Sequence, residues 1–299
     1  MQQLLENRQL ILMEAAVVER LRRKQGIQLH PQLVNAPLIY STAGRAALEQ
    51  VYRGYIDVAS HAALPLLLCT PTWRANRERV EQSGLKQSIN IDAARFMQQL
   101  RDAHDTAGEI HIGGMIGCKN DCYTPEQGLS VGEARDFHAW QIQQLASADV
   151  DFLIAVTLPA LEEAKGIALA MQHTGLPYFI SFVINRDGRL LDGNSLLHAV
   201  QSIDDSTDNP PLAYLVNCAY PTFLRAAEQP PELFERLIGL QANASSLDHC
   251  ELDGAEHLHA DELEDWGQAM LQLHRDYGLQ LLGGCCGTDD RYLQYLVSH

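Results

Sequence analysis

The chain lacks any apolar run of about 18 residues, the length a helix needs to cross a bilayer, so a membrane-spanning segment is excluded. Its start, MQQLLENRQL, lacks a basic stretch leading into an apolar one, so no secretory leader is expected. Basic residues are scarce: 22 Lys and Arg stand against 38 Asp and Glu, a formal net charge of −16. Such a surface repels nucleic acid and anionic membranes, and neither is an expected partner. Low-complexity stretches and evident linkers are absent, so residues 1–299 are expected to form one domain. Neither GxGxxG nor GK[ST] occurs, which argues against a nucleotide loop. The seven cysteines are an odd number in a long chain for which no leader is expected. That argues against a disulfide framework and for a reducing cytoplasm, with free thiols or a metal site.

Eight short apolar runs are present. They are 11–18, 64–70, 109–116, 152–157, 178–184, 213–219, 237–244 and 279–286. Between them, apolar residues recur at spacings of three and four over 46–63, 89–104, 131–146, 161–171 and 263–277, the helical period. Eight alternating units with buried-strand composition predict a (β/α)₈ TIM barrel, with a doubly wound open sheet as runner-up. Asp204–Pro211 and Leu247–His259 read as polar loops. In such a barrel the chemistry gathers where strands end. Those ends are Cys69-Thr70, Gly113-Gly114, Val156-Thr157, Asn217-Cys218, Asn243 and Cys285-Cys286.

Three cysteines therefore fall at the ends of strands six and eight, which flank strand seven. Adjacent cysteines on a regular strand face opposite ways. In Gly283-Gly284-Cys285-Cys286-Gly287-Thr288 the glycines allow a sharp turn, so both sulfurs can reach one atom. With Cys218 they make three thiolates, a set suited to zinc. Three protein ligands leave the fourth position open for a substrate.

GGCCGT, with Val216-Asn217-Cys218 upstream, resembles the zinc-dependent homocysteine S-methyltransferase family. Weaker likeness covers Leu158–Ala164 and Ser181–Gly193. The resemblance implies a (β/α)₈ barrel, zinc on Cys218, Cys285 and Cys286, and methyl transfer to homocysteine sulfur, giving methionine. It implies small-molecule partners: a thiol acceptor and an onium donor such as S-methylmethionine, S-adenosylmethionine or betaine. It leaves a homo-oligomer open.

The sequence departs from the family at two places. A DGAMGTEL-like run is replaced by Glu14-Ala15-Ala16-Val17-Val18-Glu19-Arg20-Leu21, so Glu14 becomes the candidate substrate-binding carboxylate. The usual Glu-Thr after strand four is Val156-Thr157. In the family that glutamate helps hold the substrate's ammonium, which valine cannot do, so the acceptor is either homocysteine or another thiol or selenol. Asn217, Thr157 and Thr70 are further substrate-binding candidates, and Asn243 offers a polar contact at strand seven. Trp73, near a strand end, offers an aromatic face to a cationic donor. Cys118 and Cys122 read as free thiols in a loop. His249, Cys250, His257 and His259 read as an exposed loop cluster. A non-catalytic barrel that senses zinc or thiols is the competing class. A glycine-lined phosphate-binding barrel would leave the three cysteines unexplained.

Overall fold

A computed structural model describes residues 1–7, 9–104, 109–247 and 259–299. His249, Cys250 and His257 lie outside the described residues. The eight strands are β1 (Ile11–Met13), β2 (Leu66–Cys69), β3 (Ile110–Gly117), β4 (Phe152–Leu158), β5 (Tyr178–Phe182), β6 (Ala213–Ala219), β7 (Leu237–Ala242) and β8 (Leu281–Gly284). Each pairs in parallel with the next. β1 also pairs with β8, Ile11 opposite Leu281, so the sheet closes into a barrel rather than staying open.

Every expected apolar run holds a strand, but the ends differ. β1 stops at Met13, and the β-branched pair Val17-Val18 belongs to the turn into a short helix, Val18–Arg22. Val17 is buried without being in the sheet. Its apolar character mimicked a strand, while the chain was already leaving the barrel. The five expected helices are present as Thr42–Ala62, Ile89–Asp102, Val131–Ala146, Leu161–Met171 and Leu263–Tyr277. Their boundaries follow the caps. Ser41 accepts from the Gly44 N–H, Ser130 and Glu133 form a capping box, and Gly278 ends the last of them at φ 74°. Arg77–Ser83, Leu196–Asp204 and Asp290–Ser298 are helices that the spacing analysis did not single out.

Alternation along each strand splits the core in two. Ile11, Met13, Leu67, Cys69, Phe152, Ile154, Val156, Phe179 and Leu215 fill the barrel interior. Phe152 and Phe179 meet edge to face, with ring centroids 5.5 Å apart. Met1, Leu4 and Leu5, on and just before the helix Gln2–Glu6, pack against this inner core. The larger core lies between strands and helices and includes Tyr52, Tyr55, Phe96, Ile142, Phe182 and Trp266. No helix among the described residues is long and apolar enough to cross a membrane.

Candidate metal centre and acceptor pocket

Cys218 occupies the C-terminal end of β6 with φ 54°, a left-handed conformation unusual for a side-chain-bearing residue. The β6–β7 register slips between Asn217 and Ala219, so the kink displaces Cys218 from the regular alternation. β4 does the same at Thr157, with φ 58° and a register slip between Ala155 and Leu158. Thr157 is β-branched, which makes this backbone costly, on the order of 1–3 kcal/mol.

The Asn217 side chain binds the two kinks together. Its Oδ1 accepts from the Thr157 N–H at 2.8 Å and from Ser181 Oγ at 2.7 Å. Its Nδ2 donates to Thr157 Oγ1 at 2.8 Å and to Cys218 Sγ at 3.3 Å. Both ends of the amide are thus engaged, and the Cys218 sulfur is oriented from behind.

At β8 the turn is held on both sides. The Cys285 N–H donates to the Ala242 carbonyl at 2.7 Å, and the Cys286 N–H to Asn243 Oδ1 at 3.1 Å. Thr288 Oγ1 donates to the Cys285 carbonyl at 2.6 Å and accepts from the Ala16 N–H at 3.3 Å. A Cβ on Gly284 would stand 2.1 Å from Thr288 Oγ1, and Gly287 has φ 84°, so this turn requires its glycines.

The Sγ atoms of Cys218, Cys285 and Cys286 lie within 4.8 Å of one another, and among the described residues they form the group placed to hold a metal ion. Cys218 and Cys285 are close enough to pair as a disulfide, their Cα atoms 5.5 Å apart, so the metal-binding form requires them reduced. Three cysteine thiolates are a donor set that suits zinc, and the reduced sulfurs are near enough to one another to reach a single ion. Cys118 and Cys122 are buried elsewhere in the loop after β3. Burial pushes both thiols up, Cys122 to about 12, and neither belongs to the three-sulfur cluster. His259 is exposed and outside the cluster.

The other sequence candidates line the same end of the barrel. Glu14 follows β1; its Oε2 accepts from the Cys69 N–H at 2.7 Å, and burial pushes its carboxyl up to about 8. Thr70 is buried, with its hydroxyl committed. It donates to Thr72 Oγ1 at 2.7 Å and accepts from the Met115 N–H at 3.0 Å, while Thr72 donates to the Met115 carbonyl at 2.6 Å. This closed ring ties β2 to β3. Val156 belongs to the inner core, at the end of β4.

Three participants escaped the sequence reading. Gln241 donates from Nε2 to the Glu14 carbonyl at 3.2 Å. His138 and Glu163 form a fully buried pair, Nε2 to Oε1 2.9 Å. Glu163 also accepts from the Lys119 N–H at 2.7 Å, fastening the loop after β3. Burial alone would raise its carboxyl. The His138 ring and the Lys119 and Leu129 N–H groups outweigh it and hold the carboxyl below its ordinary range.

A closed (β/α)₈ barrel with three cysteine sulfurs gathered at the ends of β6 and β8 defines a class: a parallel barrel with a three-cysteine cluster at the C-terminal ends of its strands. The profile of the homocysteine S-methyltransferase family matches residues 4–299. The chain therefore belongs to that family, and it is an enzyme of the methyltransferase class. It is 22% identical to homocysteine S-methyltransferase YbgG of Bacillus subtilis over 99% of this chain and 96% of that protein. It is 24% identical to homocysteine S-methyltransferase 1 of Saccharomyces cerevisiae over 86% and 82%. Its fold matches the metallated crystal form of the homocysteine methyltransferase MmuM from Escherichia coli, with TM-score 0.73, 19% identity and 98% of each chain covered.

Proposed function

We propose that this chain moves a methyl group from a small onium donor, of the S-methylmethionine, S-adenosylmethionine or betaine type, to the sulfur of homocysteine or a related thiol or selenol. The observation that carries this is the convergence of Cys218, Cys285 and Cys286. Those three residues would hold zinc, which keeps an acceptor thiol in its thiolate form at neutral pH. The acceptor sulfur's electron pair then forms the new S–C bond. The donor's bond from carbon to its positive sulfur or nitrogen breaks, and that atom leaves neutral with the pair.

The protein's part is placement. Asn217 fixes Cys218, and Asn243 fixes Cys286. Glu14, Thr157, Thr70 and Asn217 wall the acceptor pocket, with Glu14 the group nearest in kind to a head-group ligand. Val156 brings no charge there, so the amine of homocysteine gains little on that side. We read residues 1–299 as one barrel domain acting in the cytoplasm on small molecules, and a homo-oligomer is compatible with this reading.

The test is methyl transfer by zinc-loaded protein, with homocysteine offered together with each donor in parallel and methionine read by mass spectrometry. Turnover is expected with at least one donor and is expected to vanish in Cys285→Ser. Turnover that persists in that variant would overturn the assignment.

A further inference from the structure

Most polar groups at the barrel mouth are already committed within the protein. The Asn217 amide, the Thr70–Thr72–Met115 ring, Asn243 Oδ1 and Gln241 Nε2 all have partners. Trp73 differs. It packs against both the inner and the outer core at the rim, and its indole N–H is buried with no acceptor among the described residues. A buried donor without a partner forfeits the hydrogen bond it would make in water, so it calls for a ligand that supplies the acceptor.

The placement of the ring says which ligand. A Cβ on Gly117 would stand 2.4 Å from both Cδ1 and Nε1 of Trp73, so the indole edge lies directly on the end of β3. Gly117 is paired with Val156 on β4, and Trp73 packs against the inner cluster to which Val156 belongs, a cluster that brings no charge and no side-chain oxygen or nitrogen. The Arg74 guanidinium stacks on the same indole, 4.5 Å from its centroid, and its polar contacts are with the Cys118, Lys119 and Asn120 carbonyls. A donor N–H backed by a cation, on a ring packed against that cluster, repels an ammonium and favours an anionic oxygen.

We propose that Trp73 reads a carboxylate on the acceptor, so that the site takes thiols bearing a carboxylate and has no requirement for an amine. The inference rests on the thiol methyltransferase reading and names the acceptor class within it. In the ligand-free state the ring rests on Gly117. A head group entering beside Val156 tilts it and takes its proton as a hydrogen bond. Trp73 is in this account a specificity residue, not a participant in bond making.

The experiment uses cobalt(II)-substituted protein, with the thiolate-to-metal absorption reporting acceptor binding separately from turnover. Homocysteine, 4-mercaptobutanoate and 1-butanethiol are compared in the wild type and in Trp73→Phe, which keeps the ring and removes the donor. In the wild type, 4-mercaptobutanoate is expected to match homocysteine within about threefold. 1-Butanethiol is expected to bind about 10- to 100-fold more weakly, the range for one hydrogen bond to a charged group. Trp73→Phe is expected to erase most of that gap while leaving 1-butanethiol unchanged. Equal binding of 1-butanethiol and 4-mercaptobutanoate by the wild type would overturn the proposal without any variant. So would a preference for homocysteine over 4-mercaptobutanoate beyond about 30-fold, or equal losses for all three thiols in the variant. If no thiol perturbs the cobalt absorption, the methyltransferase reading fails and this inference with it.

Discussion

Glu14 directly follows β1, and the barrel buries it with one backbone donor, the Cys69 N–H. Desolvation outweighs that bond and lifts its pKa from an ordinary 4.5 to about 8. The linkage has a definite sign. Below pH 4.5 the group is protonated in both folded and unfolded chains and costs nothing. Between about pH 4.5 and 8 only the unfolded chain releases the proton, so stability falls with rising pH and levels off above 8. Glu14→Gln keeps an oxygen for the Cys69 N–H and cannot ionise. It is expected to match the wild type in urea unfolding near pH 4 and to exceed it at pH 9 by something on the order of 3–5 kcal/mol. A constant difference across that range would show that Glu14 is not the titrating group. Residues of this kind divide by how local their signal is. Cys285 and Cys286 are legible because the glycines that make their turn are adjacent in sequence. Gln241 and Ser181 are not, because their roles come from partners 227 and 36 residues away that only strand register brings near.

At the scale of the element, the helical spacing located the long helices because each needs an apolar stripe. It did not fix β1, whose predicted continuation through Val17 and Val18 belongs instead to the turn into Val18–Arg22, with Val17 buried there without strand pairing. It also gave no sign of how the loop after β3 is fastened. That loop is clasped from behind by Glu163, on the helix Leu161–Met171, which receives the Lys119 and Leu129 N–H groups and the ring of His138. In the first turn of that helix Glu163 stands next to Glu162, and nothing local in the sequence tells the two apart. Its carboxyl is held below the ordinary range, so the clasp contributes stability above the unfolded-chain pKa and loses it as pH falls through the folded value. Glu163→Ala is expected to leave His138 buried without its partner and to cost about 3–5 kcal/mol. Hydrogen exchange should report the damage first at the Lys119 and Leu129 amides. Unchanged protection there would mean the loop is held by other contacts.

At the scale of the whole molecule, eight apolar runs predicted the number of strands, but closure depends on β1 pairing with β8, a contact between the two ends of the barrel. Cys218 and the Cys285-Cys286 turn lie on either side of β7, with Cys218 and Cys285 67 residues apart. A metal held by all three cysteines would therefore cross-link β6 to β8 over a long loop and add its binding free energy to the folded state. At free zinc about 100-fold above its dissociation constant that contribution is about 2.7 kcal/mol, enough to move the melting temperature by roughly 4–5 °C in a chain of this size. Chelation under reducing conditions is expected to lower the melting temperature by that much while leaving the far-ultraviolet circular dichroism unchanged, since the barrel itself is closed by strand pairing. Cys218→Ser/Cys285→Ser/Cys286→Ser should melt at the chelated temperature and ignore both zinc and chelator. A chelator effect that survives in the triple variant would place the stabilising metal elsewhere, and a loss of the β-sheet signal on chelation would make the metal part of barrel closure itself.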